Sequence, residues 1–402
     1  MTMPTKIEWC DETWSPIIGC SKVSAGCDNC YAEKQAVRVC HCLSVTQGDQ
    51  SGGTWAEYSS VLNWGGDEPE AKALGWNGKT AIVSANMEKP LHWKKPRIIF
   101  VCPMGDLFHE SVPFELIDRV FTIMAQCPQH TIKVLTKRPG RMLEYYKRLS
   151  PALDQGMIEL PRHERLTIGD FRKKTGECFR RHWPLPNVHI GVSVEDQATA
   201  DERIPLLLEC PAAVRFISAE PLLGPIDFSG AEYHQERWTC VKMPAKGCGW
   251  SGMPPESTYD DHCFCYRCPE CGSFMKSSEL PCIDQIIVGG ESGPNARPMH
   301  PDWVRSIRDQ CVAAGVPFFF KQWGEWSADR EKAGVQWSTG GPLPQHGEPG
   351  TILTGIEIGG RDHGKPTAWA MMGDGSSKQL YRVGKKKAGR ILDGQTWDEQ
   401  VK

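Results

Sequence analysis

The stretch Arg97-Ile-Ile-Phe-Val-Cys102-Pro-Met-Gly-Asp106 decides how the chain is read. An apolar run of strand length ends in a turn, a carboxylate follows, and from Pro113 to Cys127 the pattern becomes helical. The same unit recurs downstream. Apolar runs at Thr131 to Thr136, Val188 to Ser193, Val214 to Ser218, Ile283 to Val288 and Val316 to Phe320 predict strands. Helices are predicted between them at Ala198 to Leu208 and Pro301 to Ala314, where Pro301 suits a first helical turn. Upstream, Thr13 to Cys20 reads as a first strand. Short apolar strands alternating with helices specify a parallel sheet. Seven of them predict an α/β fold, a parallel (βα) barrel that is complete or partial, with an open doubly wound sheet as the alternative.

Active sites of such barrels sit at the C-terminal ends of the strands. Asp106, Lys137, Glu195, Glu220, Glu291 and Lys321 each follow a predicted strand, so these charges are expected to ring one mouth. The first strand runs instead into Cys20-Ser-Lys-Val-Ser-Ala-Gly-Cys27-Asp-Asn-Cys30, with a helix predicted from Tyr31 to Val39. Cysteine thiolates are favoured ligands of iron–sulfur clusters and of zinc, and Gly26 lets the loop turn tightly between them. Three cysteines leave one iron of a four-iron cluster open, whereas a structural zinc recruits a fourth ligand. Cys10, Cys40 and Cys42 are candidates for that fourth place, so the residues alone leave both metals open.

The chain divides into a first strand and cysteine loop at 1–39, an irregular Gly-, Ser- and Trp-rich insertion at 40–96, and barrel units at 97–228. A basic insertion at 150–187 interrupts these units. A Cys-rich insertion follows at 229–282, then the last barrel units at 283–326 and a Gly/Pro-rich, basic tail at 327–402. In the Cys-rich insertion, Cys268-Pro-Glu-Cys271 has the spacing of a zinc knuckle. A small structural zinc ribbon from Cys240, Cys248, Cys268 and Cys271 is expected, with Cys263 and Cys265 competing for the partner pair. The net charge of −3 gives no overall pull toward nucleic acid, so any such contact falls to the basic insertion and the tail. Eighteen cysteines would suit a secreted disulfide framework, but Met1-Thr-Met-Pro-Thr-Lys-Ile-Glu8 lacks an apolar signal core and no apolar run is long enough to cross a bilayer. The expectation is a cytoplasmic protein with no membrane contact, its thiols reduced or metal-bound.

Ile7-Glu-Trp-Cys10, Gly19-Cys20 and Gly26-Cys-Asp-Asn-Cys-Tyr-Ala-Glu33 resemble the opening of a phage and prophage family of unassigned function, the three-Cys-motif proteins. The resemblance continues through Met104-Gly-Asp-Leu-Phe-His-Glu110, Leu135-Thr-Lys-Arg-Pro139, Gly191-Val-Ser-Val-Glu195 and Ser218-Ala-Glu-Pro-Leu-Leu-Gly224. It extends to Val288-Gly-Gly-Glu-Ser-Gly-Pro294, Phe320-Lys-Gln-Trp-Gly-Glu325 and Tyr381-Arg-Val-Gly-Lys385. That family is similar to an outlying branch of the radical S-adenosylmethionine enzymes, although six residues rather than three separate Cys20 from Cys27 and no aromatic residue precedes Cys30. The resemblance implies a [4Fe-4S] cluster on Cys20, Cys27 and Cys30 whose open iron chelates S-adenosylmethionine, with reductive cleavage to a 5′-deoxyadenosyl radical. By location it implies Gly105 and Asp106 at the cofactor's amino group, and Ser193 and Glu195 at its ribose or carboxylate. Lys137, Glu220, Glu291 and Lys321 would then face the substrate. A nucleic acid or nucleotide is the expected substrate, for base modification or repair, and an electron donor is required. A protein partner is left open. The competing expectation is a non-catalytic zinc-containing nucleic-acid-binding or adaptor protein of phage origin, with Cys10 as a ligand.

Overall fold

The computed structural model describes residues 5, 7–47, 53–66, 72–154, 184–228, 282–329, 351–354, 367–372 and 376–401, with short strands at 236–240, 251–252, 259–260, 265–266 and 275–279. Seven parallel strands form its centre: β1 (Glu12–Trp14), β2 (Ile98–Val101), β3 (Thr131–Thr136), β4 (Val188–Val194), β5 (Val214–Ala219), β6 (Gln285–Gly289) and β7 (Phe318–Gln322). They lie side by side in chain order, and β1 does not pair with β7. The sheet is therefore a curled half-barrel, the partial form of the expected architecture.

Alternation along the strands sorts side chains between two faces. On the convex face Ile99, Val101, Ile132, Val134, Ile190 and Val192 join the main core with residues from α2 (Phe114–Ala125), α3 (Pro139–Asp154), α4 (Gln197–Glu209) and α5 (Pro301–Ala314). Helix α2 shows why: Ile117, Val120, Phe121 and Met124 recur at i, i+3, i+4 and i+7, and all are buried. The helices expected at 113–127, 198–208 and 301–314 appear within one or two residues of their limits, and α3 is an addition.

The concave face holds Phe100, Phe216, Ile287 and Phe319, packed around Trp9 and Cys10. Among these rings lies Lys133, whose Nζ donates to Gln285 Oε1 at 2.7 Å and to Gln400 Oε1 at 3.0 Å. The N-terminal segment thus plugs the lower half of the trough. The chain's end runs along the free edge of β7, where Phe320 N donates to Trp397 O at 2.9 Å and Phe319 bridges Asp398. That contact covers an edge that would otherwise present unpaired backbone groups.

Three expectations need correction. The first strand does not run to Cys20: it stops at Trp14, and after Pro16, which has no N–H for a ladder, Ile17–Ile18 pairs with Ala81–Ile82 in a separate antiparallel ribbon. The described residues between 40 and 96 are not irregular. Helix α1 (Tyr31–Gln47) extends well past Val39, a helix follows at Gly53–Ser60, and Leu62–Gly65 pairs antiparallel with Lys72–Trp76. Tyr58, Leu62 and Trp76 bury against Ala32, Ala36 and Cys40 of α1 in a second core. Finally, the tail holds a four-stranded sheet in which Trp326–Ser327, Ser377–Arg382, Thr367–Met371 and Ile352–Thr354 are neighbours in that order. Among the described residues no helix is long and apolar enough to cross a membrane.

Candidate active site

At the C-terminal ends of the strands lies a cleft of about 380 Å³, walled by Cys20, Cys27 and Cys30 on one side and by strand-end residues on the other. The loop carrying the cysteines is tied down at four points. Gly19 N donates to Met104 O at 3.0 Å, which joins the loop's start to the turn after β2. An added Cβ on Gly105 would stand 2.9 Å from Gly19 O, so only glycine admits this approach. Arg138 Nη2 donates to Ser21 O at 3.0 Å and to Ser21 Oγ at 2.8 Å. Ser24 Oγ donates to Glu195 Oε1 at 2.9 Å, and Arg297 Nη2 donates to Ala25 O at 2.8 Å. A single turn at Ala25–Cys27 then leads into α1, the first turn of which begins at Tyr31.

Of the six charges expected at the mouth, Asp106, Lys137, Glu220, Glu291 and Lys321 line the cleft, mostly as ion pairs, and Glu195 does not. Glu220 meets Lys321 Nζ at 2.5 Å. Glu291 is gripped by Arg297, whose Nη2 and Nε donate at 2.7 and 3.0 Å, and it accepts from Asn29 Nδ2 at 3.1 Å. Burial opposes ionisation of Glu291, but the hydrogen bonds from Arg297 outweigh it and hold the carboxyl below its ordinary range. Asp106 accepts from Thr136 Oγ1 at 2.7 Å, from Lys137 N at 3.1 Å and from Arg138 Nη1 at 3.2 Å. Its carboxylate therefore fixes the end of β3 to the turn after β2. Ser193, also on the cleft wall, donates to Glu220 O at 3.1 Å. Lys321 lies within β7, and not beyond it as the sequence pattern implied.

Glu195 differs from its neighbours. It is 0% exposed and lies behind the cleft wall, paired with Lys137 on one side and with Arg203 Nη1 at 3.3 Å on the other. The capping box of α4 sets it there: Asp196 accepts from Thr199 N at 2.9 Å, Thr199 Oγ1 accepts from Asp196 N at 3.1 Å, and the same hydroxyl accepts from Glu195 N at 2.8 Å. Gly26 rests on this pair, since an added Cβ would stand 2.5 Å from Glu195 Oε1 and 2.6 Å from Lys137 Nζ.

The thiols of Cys20 and Cys30 are raised from their ordinary pKa. Burial, reinforced by Asp106 and opposed by Arg138, pushes Cys20 up to about 12, and burial also raises Cys30. Arg138 Nη1 stands 3.6 Å from Cys20 Sγ. Among the described residues no three His, Cys, Asp or Glu side chains stand close enough to share one metal ion. The sulfurs border a common space without meeting at a point. Cys10 belongs to the apolar layer beneath, and Cys40 is buried in the second core nine residues along α1, roughly 13 Å from its start. Cys42 is exposed on the same helix. Cys102, read only as the end of a strand, also borders the cleft.

Cys248, Cys268 and Cys271 lie outside the described residues, as does most of the basic insertion at 150–187. Cys240 ends a strand, Glu236–Cys240, paired antiparallel with Met275–Glu279. Sequence reasoning missed Arg138, Arg203 and Arg297, the cations that hold Asp106, Glu195 and Glu291. Arg138 adjoins the predicted Lys137, but no spacing marks Arg203 or Arg297 as partners of those carboxylates.

Residues 4–401 match the model of a family described as "Protein of unknown function (DUF5131)". No curated protein and no solved structure matches the chain.

Proposed function

Because the chain belongs to this family of unknown function, its chemistry has to be read from the cleft, and we propose that it is a radical S-adenosylmethionine enzyme acting on a nucleic acid or nucleotide, in base modification or repair. The observation that carries the reading is that Cys20, Cys27 and Cys30 border the same cleft as Asp106, Glu220, Glu291 and Lys321. The donor set fits a [4Fe-4S] cluster. A single ion needs its ligands to meet at one centre, whereas the thiolates of a cluster bind separate irons and are held apart. Cys10 packs in the apolar layer beneath the cleft, Cys40 stands roughly 13 Å along α1 and Cys42 is exposed on that helix, so among the described residues none of the candidates for a closing fourth zinc ligand joins the loop's thiols at one centre. When bound, the group supplies one-electron cleavage of S-adenosylmethionine to a 5′-deoxyadenosyl radical.

The chain's own residues have distinct parts in this reading. Arg138 holds the cysteine loop at Ser21 and offers a cation beside Cys20. The backbone at Gly105 would admit the cofactor's amino group, and Ser193 lines the same cleft where it would meet the ribose or carboxylate. The Glu220–Lys321 pair holds or moves a proton at the substrate, and Arg297 keeps Glu291 ionised as a hydrogen-bond acceptor. A structural zinc on Cys240, Cys248, Cys268 and Cys271 belongs to the same proposal.

Anaerobic reconstitution with iron and sulfide is the direct test. The expected result is a coloured protein holding iron at the loop and zinc at the ribbon, which releases 5′-deoxyadenosine when given a reductant and S-adenosylmethionine. Cys27→Ala is expected to lose the iron and the product while keeping the zinc. Zinc in the loop, and no iron after reconstitution, would replace this reading with that of a zinc-bearing nucleic-acid-binding or adaptor protein.

A further inference from the structure

Beside the cleft lies a second depression of about 620 Å³, and Ile7, Tyr31, Pro103 and Ser292 border both. The two spaces are therefore one continuous surface, and they differ in charge. The cleft's carboxylates are each matched by a cation. The side trough presents Lys34, Arg38 and Lys89 and no carboxylate at all among its lining residues.

The helical period explains the stripe. On α1, Ala32, Ala36 and Cys40 are buried against the second core, so Tyr31, Lys34, Gln35 and Arg38 fall at i, i+3, i+4 and i+7 on another face. Arg38 and Lys89 are exposed, and among the described residues none of the three cations is paired with a carboxylate. Exposed cations are ordinary when they stand apart. Here they converge on a concavity without a countercharge, so their fields add over the space between them.

Tyr31 supplies a second kind of contact. It is 53% exposed at the boundary between the two spaces, and its hydroxyl is anchored by donation to Pro103 O at 3.0 Å. An anchored, solvent-facing ring next to a basic groove is the arrangement by which proteins hold single-stranded nucleic acids: cations follow the backbone and the aromatic face takes a base.

We propose that the trough binds the phosphodiester backbone of a single-stranded nucleic acid, through Lys34, Arg38 and Lys89, with a base stacked on Tyr31 and the adjoining nucleotide directed into the cleft. This rests on the reading of the cleft as the reacting site, but the binding step needs no cofactor and is measured separately from it.

The test is fluorescence anisotropy of the full chain with a 5′-fluorescein 12-mer of mixed sequence, as single-stranded DNA and as RNA, over a range of salt. Reversing all three cations (Lys34→Glu, Arg38→Glu, Lys89→Glu) is expected to weaken binding at least tenfold and to flatten the slope of log K against log salt by about 2, at about 0.7 per lost phosphate contact. The neutral set, with Gln in place of each cation, guards against a folding effect and is expected to flatten the slope to the same extent. Tyr31→Ala is expected to weaken binding roughly tenfold while leaving the slope unchanged. Wild-type affinity and slope in both triple variants would overturn the proposal. So would loss of binding in Lys386→Glu/Lys387→Glu alone, which would move the contact to the tail. Competition by AMP as effective, per nucleotide, as that by an unlabelled 12-mer would point to a mononucleotide and would also overturn it.

Discussion

The concave face of the sheet has two tiers that handle charge in opposite ways. In the lower tier Lys133 is 1% exposed, and among the described residues it rests on amides and rings: Gln285, Gln400, and the faces of Trp9 and Phe216 at 5.6 and 5.4 Å. In the upper tier charges come as pairs, Glu195 with Lys137 and Arg203, Glu220 with Lys321, and Glu291 with Arg297. A buried cation without a countercharge gives up its proton readily, and burial brings Lys133 down to about 8. Paired charges stay ionised. The lower tier therefore serves as a seal that ties both ends of the chain into the half-barrel, whereas the upper tier keeps charged groups ready beside an open cleft.

The sharpest way to break the comparison is Glu195→Ala. It leaves buried Arg203 and half-buried Lys137 without their carboxylate and removes the acceptor of Ser24. Removing one partner of a buried pair leaves an uncompensated charge, so the expected loss is about 3–5 kcal/mol in urea denaturation. Glu195→Gln, which retains hydrogen-bond acceptance, is expected to lose less. A loss below about 1 kcal/mol, the range of surface pairs, would show that the upper tier does not depend on paired charge.

Much of the upper tier was legible because sequence and space coincide there. A residue directly after an apolar run stands at the end of a strand, so Lys137, Glu195, Glu220 and Glu291 could be placed without coordinates. Their partners could not, since Ser24 and Glu195 are 171 residues apart and nothing local signals that they meet. Glu195 also shows that sharing a strand end is not the same as lining a cleft, because the α4 cap turns it behind the wall. The insertion at 40–96 was opaque for a different reason. Its apolar residues, Tyr58, Leu62 and Trp76, bury one flank of a short helix and a hairpin too brief to show a period. Lys133 was opaque because a lysine inside an apolar strand gives no sign of whether it faces water or the interior.

A pH series sharpens the contrast from below. The folded-state value of Lys133 lies under its ordinary 10.5, so below about pH 8 both folded and unfolded chains carry the proton and the cost of burying the charge is complete. As pH rises from 8 toward 10.5 the folded chain releases that proton while the unfolded chain keeps it, so stability climbs, by about 3 kcal/mol over the window. Cys10, pushed up to about 12 in the same layer, slopes the other way above pH 9. It is present in Lys133→Met as well, so the difference between wild type and this variant reads the lysine together with its coupling to Cys10. The expected difference grows in favour of wild type between pH 8 and 10.5. A flat difference would mean that Lys133 keeps its proton through its amide and ring contacts.

The smallest change tests whether the cysteine loop shares in the paired tier at all. Gly26 has no left-handed backbone to protect, so Gly26→Ala acts through contact alone. Its new methyl would meet Glu195 Oε1 and Lys137 Nζ, and Glu195, held by Arg203 and by the cap of α4, cannot retreat. The loop must lift instead, at a cost of about 1–3 kcal/mol typical of overpacking. Because Cys27 is the next residue, the lift moves one sulfur relative to Cys20, which Arg138 and Ser21 hold in place. The expected outcome is a folded protein with a small stability loss that retains less iron than wild type after reconstitution and gel filtration. Full iron retention with unchanged stability would mean that the loop rides free of the Glu195–Lys137 pair, and that the paired charges organise the strand ends without organising the metal ligands.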